Sequence, residues 1–83
     1  MGNGNRRDSL SILADLLDNM EEPRRITHLL YASNLNYGQL CKYLKMLKMM
    51  GLADEQMKPL RQFKITSEGK FFMDILNRRM NTN

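Results

Sequence analysis

A short polar break between two helical patterns restricts the folding of this chain more than any other feature of its sequence. Residues 33–36 (Ser-Asn-Leu-Asn) place one apolar residue among turn-forming ones, which favours a turn over continued helix. Apolar residues recur at helical spacing on both sides of the break: Ile26, Leu29 and Leu30 before it, and Leu40, Leu44 and Leu47 after it. The sequence therefore predicts two helices joined by a tight corner.

Local signals mark the ends of these two helices. Asn36 is a capping residue, and Gln39, three positions later, can bond back to the Asn36 amide in a capping box. Gly51 stands where a left-handed residue would end the second helix. For the first helix we expect Pro23 at the opening position, because its missing amide proton would be unpaired there anyway, and an end near Ser33.

Another helix is predicted upstream, over about residues 8–20. Asp8 or Ser9 is its expected cap. Its predicted apolar face consists of Leu10, Leu13, Leu16, Leu17 and Met20. Three helices therefore precede Gly51.

The part of the chain after Gly51 changes from helical to alternating patterns and back. Residues 52–56 and 62–66 are predicted as two strands joined by residues 57–61, whose proline suits a turn. A last helix is expected from Thr66 or Ser67, with apolar residues to Leu76. Three helices, a hairpin and a helix form an α+β fold in the order of a winged helix-turn-helix domain. We place this domain at residues 8–80, after a disordered tail at 1–7 and before a frayed C-terminus at 81–83.

Size and composition limit the function classes that this chain can serve. Its 83 residues leave room for one small domain, and no stretch is apolar enough to span a membrane or to act as a secretory signal, so a cytoplasmic location is expected. The single Cys41 cannot form an internal disulfide, and with His28 it falls short of a zinc ligand set. Because the chain also lacks a glycine-rich phosphate loop and a cluster of paired carboxylates, we expect no enzyme activity, cofactor or metal.

Charge is segregated along the chain. Residues 8–22 contain five acidic residues and no Lys or Arg, a net charge of −5, whereas residues 23–64 contain eight basic residues and two acidic ones, a net charge of +6. The basic middle of the chain can attract a polyanion. A solvated surface of mixed charge explains the same pattern, so the charges alone leave both interpretations open.

Two sequence blocks carry a family resemblance. Residues 31–52 (YASNLNYGQLCKYLKMLKMMGL) and 62–72 (QFKITSEGKFF) resemble the small archaeal winged-helix DNA-binding proteins, a family of predicted transcriptional regulators and chromatin-type proteins, and the resemblance covers about residues 9–76. It implies a winged-helix fold, double-stranded DNA as the partner, a nucleoid-associated location and, as in several members, a homodimer formed through a long C-terminal helix. Here the apolar pattern stops soon after Leu76, so a long antiparallel coiled coil is not expected.

The last predicted helix nevertheless supplies candidates for a homodimer contact. Phe71 and Phe72 are adjacent, so both cannot occupy the centre of one helical face. One of them is expected inside the domain and the other in a subunit contact together with Ile75 or Leu76. We assign Phe71, Ile75 and Leu76 to the dimer interface.

The helix after the break is the predicted DNA-reading element. At 100° per residue, the side opposite the leucine stripe carries Gly38, Lys42, Lys45 and Met49, with Gln39 and Met46 beside them. Tyr37, Gln39 and Lys42 are the candidates for contact with bases, and Lys45 is the candidate for contact with phosphate. Gln39 has two possible roles, pairing with an adenine edge or completing the helix cap.

Four further basic residues are candidates for contacts at the edges of this surface. Lys58 and Arg61 near the hairpin tip can reach the adjacent minor groove or its phosphates, or simply keep a turn solvated. Arg24 and Arg25 are expected in the first turn of the helix that begins at Pro23, where positive charge opposes the helix dipole unless an anion is nearby.

Tyr31 and Tyr43 are expected to pack in or near the core.

Two alternatives to DNA binding also stay open. Winged helices serve as protein-docking modules without contacting DNA, and fold does not fix function. Attraction to phosphate also does not separate DNA from RNA, although the lack of an aromatic-rich sheet argues against single-strand recognition.

Overall fold

The computed structural model describes residues 8–81, the side chains of residues 79–81 excepted, and contains the predicted order of elements. Its elements are α1 (Ser9–Asp18), α2 (Ile26–Ser33), α3 (Tyr37–Met49), β1 (Ala53–Gln56), β2 (Gln62–Ile65) and α4 (Ser67–Asn81). The α+β fold class is confirmed, with α2 and α3 as a helix-turn-helix unit and β1–β2 as the wing. The tail at residues 1–7 and residues 82 and 83 lie outside the described part, and none of the described helices is long and apolar enough to cross a membrane.

The tight corner between α2 and α3 forms as predicted. Asn34 adopts a left-handed conformation with φ 63°, which ends α2. Asn36 then caps α3: its side-chain oxygen accepts from the Gln39 amide at 2.8 Å, and the Gln39 side chain accepts from the Asn36 amide at 3.2 Å. Gly51, with φ 76°, follows the other end of α3. Local signals thus set the bounds of α3 at both of its ends.

The beginning of α2 differs from the prediction. Pro23, Arg24 and Arg25 were expected in its first turn, but they lie before the helix, which starts at Ile26. The backbone of Arg24 instead pairs with Phe63 of β2 through hydrogen bonds of 2.9 and 2.8 Å. This isolated bridge adds a third short extended segment beside the two-stranded wing. A distant partner in the sheet therefore outweighs the local helix signal of Pro23.

One core joins all six elements, and its buried residues are Ile12, Leu13, Leu16, Leu17, Met20, Leu29, Leu40, Leu44, Leu47, Leu52, Ala53, Phe63 and Ile65. The predicted α3 stripe and the inward alternation of Phe63 and Ile65 are confirmed. Leu10 was expected on the buried face of α1, but its side chain is exposed, and Ile12 is buried in its place. Asp8 caps this helix by accepting from the Ser11 amide at 2.7 Å.

Thr66 connects the end of α3 to the start of α4. Its hydroxyl donates to the Gly51 carbonyl at 2.7 Å and accepts from the Gly69 amide at 2.9 Å, while its own amide donates to the Leu52 carbonyl at 3.0 Å. The first turn of α4 is therefore held against the loop that follows α3. A Cβ on Gly69 would lie 2.2 Å from the Leu52 carbonyl oxygen, so only glycine allows this close approach.

Candidate nucleic-acid interface

The outward side of α3 forms the centre of the candidate interface. Lys42, Lys45 and Gly38 are exposed there, opposite the buried leucines of the same helix. Met49 lies on the same side with 78% of its surface exposed, and Met46 is half-buried. No described residue covers this face or pairs with the two lysines. The free lysine face that the sequence predicts is therefore present.

The beginning of α3 places Tyr37 and Gln39 at the end of this face, and both side chains are exposed. Because the Gln39 side-chain oxygen accepts the Asn36 amide, the capping role is the one that the structure contains. The Gln39 amide N–H groups are donors that this cap does not use. Capping and contact with a base edge thus do not exclude each other.

The wing places its two candidate cations in different surroundings. Lys58 is exposed at the tip, between the exposed apolar side chains of Met57 and Leu60. Arg61 directly precedes β2; its Nε donates to Glu55 at 2.5 Å, and its guanidinium carbon lies 5.3 Å from the centre of the Phe63 ring. Lys58 is therefore free for an external anion, whereas Arg61 already has an acidic partner.

Glu55 on β1 also accepts a hydrogen bond from Lys48 in the last turn of α3. The bond from Lys48, followed by the bond from Arg61, lowers the pKa of the Glu55 carboxyl below its ordinary value. Glu55 in turn raises the pKa of Arg61, and Tyr37 adds a smaller effect in the same direction. The Glu55 carboxylate therefore ties the wing to the last turn of α3.

Basic residues line two grooves in the described part of the chain. One lies between α3 and the wing and is lined by Ile26, Cys41, Leu44, Lys45, Lys48, Glu55, Arg61 and Phe63. The other lies at the beginning of α2 and is lined by Pro23, Arg24, Arg25, Thr27, His28, Tyr31 and Gln62. The structure thus brings Arg24 and Arg25 together in one groove, although not inside the helix where the sequence placed them.

Tyr31 is the clearest residue that the sequence analysis misplaced. It was expected to pack in or near the core with Tyr43, but 85% of its surface is exposed, whereas Tyr43 packs against the core. Leu29 lies on the side of α2 that faces the core, whereas Tyr31 lies on the side that lines the groove. Lys48 and Glu55 were also missed as a pair. The alternation of β1, which puts Glu55 on the same face as buried Ala53, was the available signal.

The described part of the chain contains no candidate metal site, because no group of three or more His, Cys, Asp or Glu residues is placed there to hold an ion.

The C-terminal helix α4 presents an apolar surface separate from the α3 face. Phe72 packs against the core, while Phe71 and Ile75 are exposed and Leu76 is half-buried. The sequence left open which phenylalanine faces inward, and the structure places Phe72 there.

Comparison with known proteins agrees with this architecture. The winged helix-turn-helix family model matches residues 6–83. Among solved structures, the chain is similar to Sso10a-2, a DNA-binding protein from Sulfolobus solfataricus, with a TM-score of 0.80 and 28% sequence identity over 89% of this chain and 79% of that chain. No curated protein matches the chain. The resemblance seen in the sequence blocks at residues 31–52 and 62–72 is confirmed.

Proposed function

The chain belongs to the winged helix-turn-helix family, and from that premise we propose that it binds double-stranded DNA, with the outward face of α3 in the major groove and the wing on the adjacent backbone or minor groove. The observation that carries the proposal is the exposed, unpaired position of Lys42 and Lys45 on the helix that follows the tight corner. The description of Sso10a-2 as a DNA-binding protein supports it. The winged-helix family and this neighbour are not enzyme types, and we propose no catalytic step.

The dimensions of α3 fit this role. Its 13 residues span about 20 Å at a rise of 1.5 Å per residue. The major groove is about 12 Å wide and admits an α-helix, whose diameter with side chains is about 10–12 Å. In helix-turn-helix docking the N-terminal residues of the reading helix come closest to base edges, which gives Tyr37, Gln39 and Lys42 the base contacts and Lys45 a phosphate contact.

The flanking cations extend the proposed contact along the DNA backbone. Arg24 and Arg25 line the groove at the beginning of α2, where the helix has no side-chain cap and its first amides are open to an anion. Lys58 at the wing tip and Arg61 directly before β2 are the proposed minor-groove or backbone contacts. These four residues position the protein, whereas α3 reads the sequence.

A regulatory role in transcription is the proposed use of this binding. A regulator must prefer its target over other DNA, usually by a factor of about 10³ to 10⁷. An architectural protein instead binds most sequences with similar affinity. Selection of preferred sites from a random duplex library separates these roles: one enriched motif supports a regulator, and no enrichment supports an architectural role.

We also propose a homodimer formed through α4. Phe71 and Ile75 lie four residues apart, on one face of the helix, and are exposed, whereas Phe72, Met73 and Leu76 are half-buried. A second copy of the chain would bury them against the same surface, as expected for a two-fold contact. Leu76 is half-buried by its own domain and contributes less to this contact.

Titration of three nucleic acids tests the DNA proposal. A mixed-sequence duplex, a single strand and an RNA hairpin are each titrated with the protein at several salt concentrations. We expect preference for the duplex and a log–log salt slope of about −0.9 for each neutralised phosphate. Equal affinity for all three, or affinity that does not change with salt, would reject the proposal, and no binding at all would favour a protein-docking role.

Charge-reversal variants locate the contact. Lys42→Glu and Lys45→Glu are expected to weaken duplex binding at least about tenfold and to leave the fold intact, because both side chains are exposed and unpaired. Lys70→Glu is the matched control, since it makes the same charge change at an exposed position of α4. Equal losses for all three variants would show that net charge, not the α3 face, determines binding.

A further inference from the structure

One carboxylate lies beside the proposed DNA surface and binds Arg61 of that surface together with Lys48, which lines the adjacent groove between α3 and the wing. Glu55 accepts hydrogen bonds from Lys48 on α3 and from Arg61 at the start of β2. The Glu55 side chain is only 13% exposed, whereas those of Lys48 and Arg61 are 43% and 47% exposed. An approaching phosphate would therefore meet the two cations before it met the carboxylate.

Arg61 keeps donors available while it is bound to Glu55. The bond to Glu55 uses Nε, so the carboxylate does not occupy the terminal amino groups, which carry four of the five N–H donors. The Phe63 ring supports the guanidinium from one side. Arg61 is therefore oriented and still able to contact phosphate, but part of its charge is already balanced.

The charge of the cluster follows from its members. Two cations and one anion give the group of Lys48, Glu55 and Arg61 a net charge of +1. The pKa of Glu55 is lowered by its two partners, so the carboxyl stays ionised near neutral pH. The cluster thus presents one uncompensated positive charge, although it contains two cations.

We propose that Glu55 limits the affinity of the DNA surface, by supplying to Lys48 and Arg61 the negative charge that a DNA phosphate would otherwise supply. This inference rests on the proposed DNA binding and makes Glu55 a positioning residue that acts through its two partners. Its effect falls on the sequence-independent part of binding, because phosphate contacts carry no sequence information directly. Glu55 thereby favours discrimination by α3 over general attraction to DNA.

Neutralising Glu55 tests the inference on the intact chain. Glu55→Gln keeps an acceptor for Arg61 but removes the charge. We expect duplex affinity about three- to tenfold higher and a salt slope steeper by about 0.9, because one more phosphate is neutralised. The gain should be the same for different duplex sequences. Unchanged or weaker binding by a variant with the wild-type circular dichroism spectrum would overturn the inference.

Asp54→Asn is the matched control. It removes the same charge from the neighbouring residue of β1, whose side chain is exposed and points to the opposite face of the strand. We expect a salt slope within error of the wild type. If Asp54→Asn and Glu55→Gln gave the same gain, overall net charge would explain both results and the inference would fail.

A double variant tests whether the change in salt slope follows the net charge of the cluster. Glu55→Gln combined with Lys48→Gln restores the +1 charge of the cluster, so the salt slope should return to the wild-type value. A slope that stays steep would overturn the inference. Failure of wild-type protein to bind duplex would reject the proposed function itself, whereas normal wild-type binding with an unaffected Glu55→Gln variant would reject only the role of Glu55.

Discussion

Gly69 shows how a single residue can have opposite local and tertiary effects. In a helix interior, Gly→Ala normally stabilises by about 1 kcal/mol, since alanine has the higher helix propensity. Here the new Cβ would lie 2.2 Å from the Leu52 carbonyl oxygen and 2.6 Å from Ile65 Cγ1. Both neighbours belong to the packed junction of α3, the wing and α4, so they cannot move away easily.

We therefore expect Gly69→Ala to lower the free energy of unfolding by about 1–3 kcal/mol, the usual range for overpacking. Urea unfolding measures this change. Gly38→Ala is the matched control, because a Cβ on Gly38 meets only Asn36 Oδ1 at an ordinary 3.6 Å. It should be neutral or slightly stabilising. A Gly69→Ala variant as stable as wild type would mean that the contact with Leu52 relaxes without cost.

Glu55 gives the chain a defined dependence of stability on pH. Its pKa is lowered in the folded protein by Lys48 and Arg61, so the ion pairs stabilise the fold above the unfolded-state pKa of about 4.3. This stabilisation is lost as the pH falls through the lower folded-state pKa. Because both cations are nearly half exposed, solvent screening limits it to no more than about 1 kcal/mol.

Glu55→Gln should accordingly be less stable than wild type at pH 7 and equally stable at acidic pH. Thermal unfolding between pH 7 and pH 3 checks this, with the midpoints of the two proteins converging as wild-type Glu55 is protonated. Asp54→Asn serves as the comparison. A midpoint difference between wild type and Glu55→Gln that stayed constant over this range would show that the change acts through packing and not through charge.

At the scale of elements, the capping box makes α3 the best-specified helix in the chain. Asn36→Ala removes the acceptor of the Gln39 amide and should destabilise the fold by about 1 kcal/mol. Asn36→Asp keeps an equally good cap and should retain wild-type stability. Chemical unfolding of the three proteins makes the comparison. Equal stability of the alanine variant would indicate that packing of Leu40, Leu44 and Leu47 alone holds the helix.

The elements also show what was readable from the sequence and why. The bounds of α3 depend on signals within a few residues, Asn36 with Gln39 at one end and Gly51 at the other, and these were predicted. The start of α2 depends on pairing between Arg24 and Phe63, which are far apart in the chain. No local pattern reports such a partner, so Pro23 was misplaced.

In the candidate site, too, the residues placed by local patterns were predicted and those placed by tertiary contacts were not. The outward lysines of α3 follow from helical periodicity and were predicted. The cluster of Lys48, Glu55 and Arg61 requires that α3, β1 and β2 meet, and only the folded chain shows it. Exposure of Leu10 and Tyr31 was missed because periodicity gives the direction of a helical face but not how far its neighbours extend over it.

At the scale of the whole molecule, the two proposed contact surfaces lie on different elements. The proposed DNA contact uses α3, the wing and the beginning of α2, whereas the proposed homodimer contact uses α4. Helix α4 packs on α1 and β2, with Phe72 inward and Phe71 outward. Neither surface needs the residues of the other, so dimer formation and DNA binding can be altered separately by mutation.

The dimer proposal leads to a test by sedimentation. Phe71 is 67% exposed in the single chain, so its replacement should not disturb the domain. In a two-fold dimer each change occurs twice, and loss of about 1.5–3 kcal/mol for each buried phenylalanine would weaken association at least about a hundredfold. We expect Phe71→Glu to sediment as a monomer at a concentration where wild type is a dimer. Tyr31→Glu, which alters an exposed aromatic residue on α2, should remain dimeric. A wild-type chain that sediments as a monomer at both low and high concentration would reject the homodimer. A Phe71→Glu variant that still associates would show that the dimer contact does not depend on Phe71.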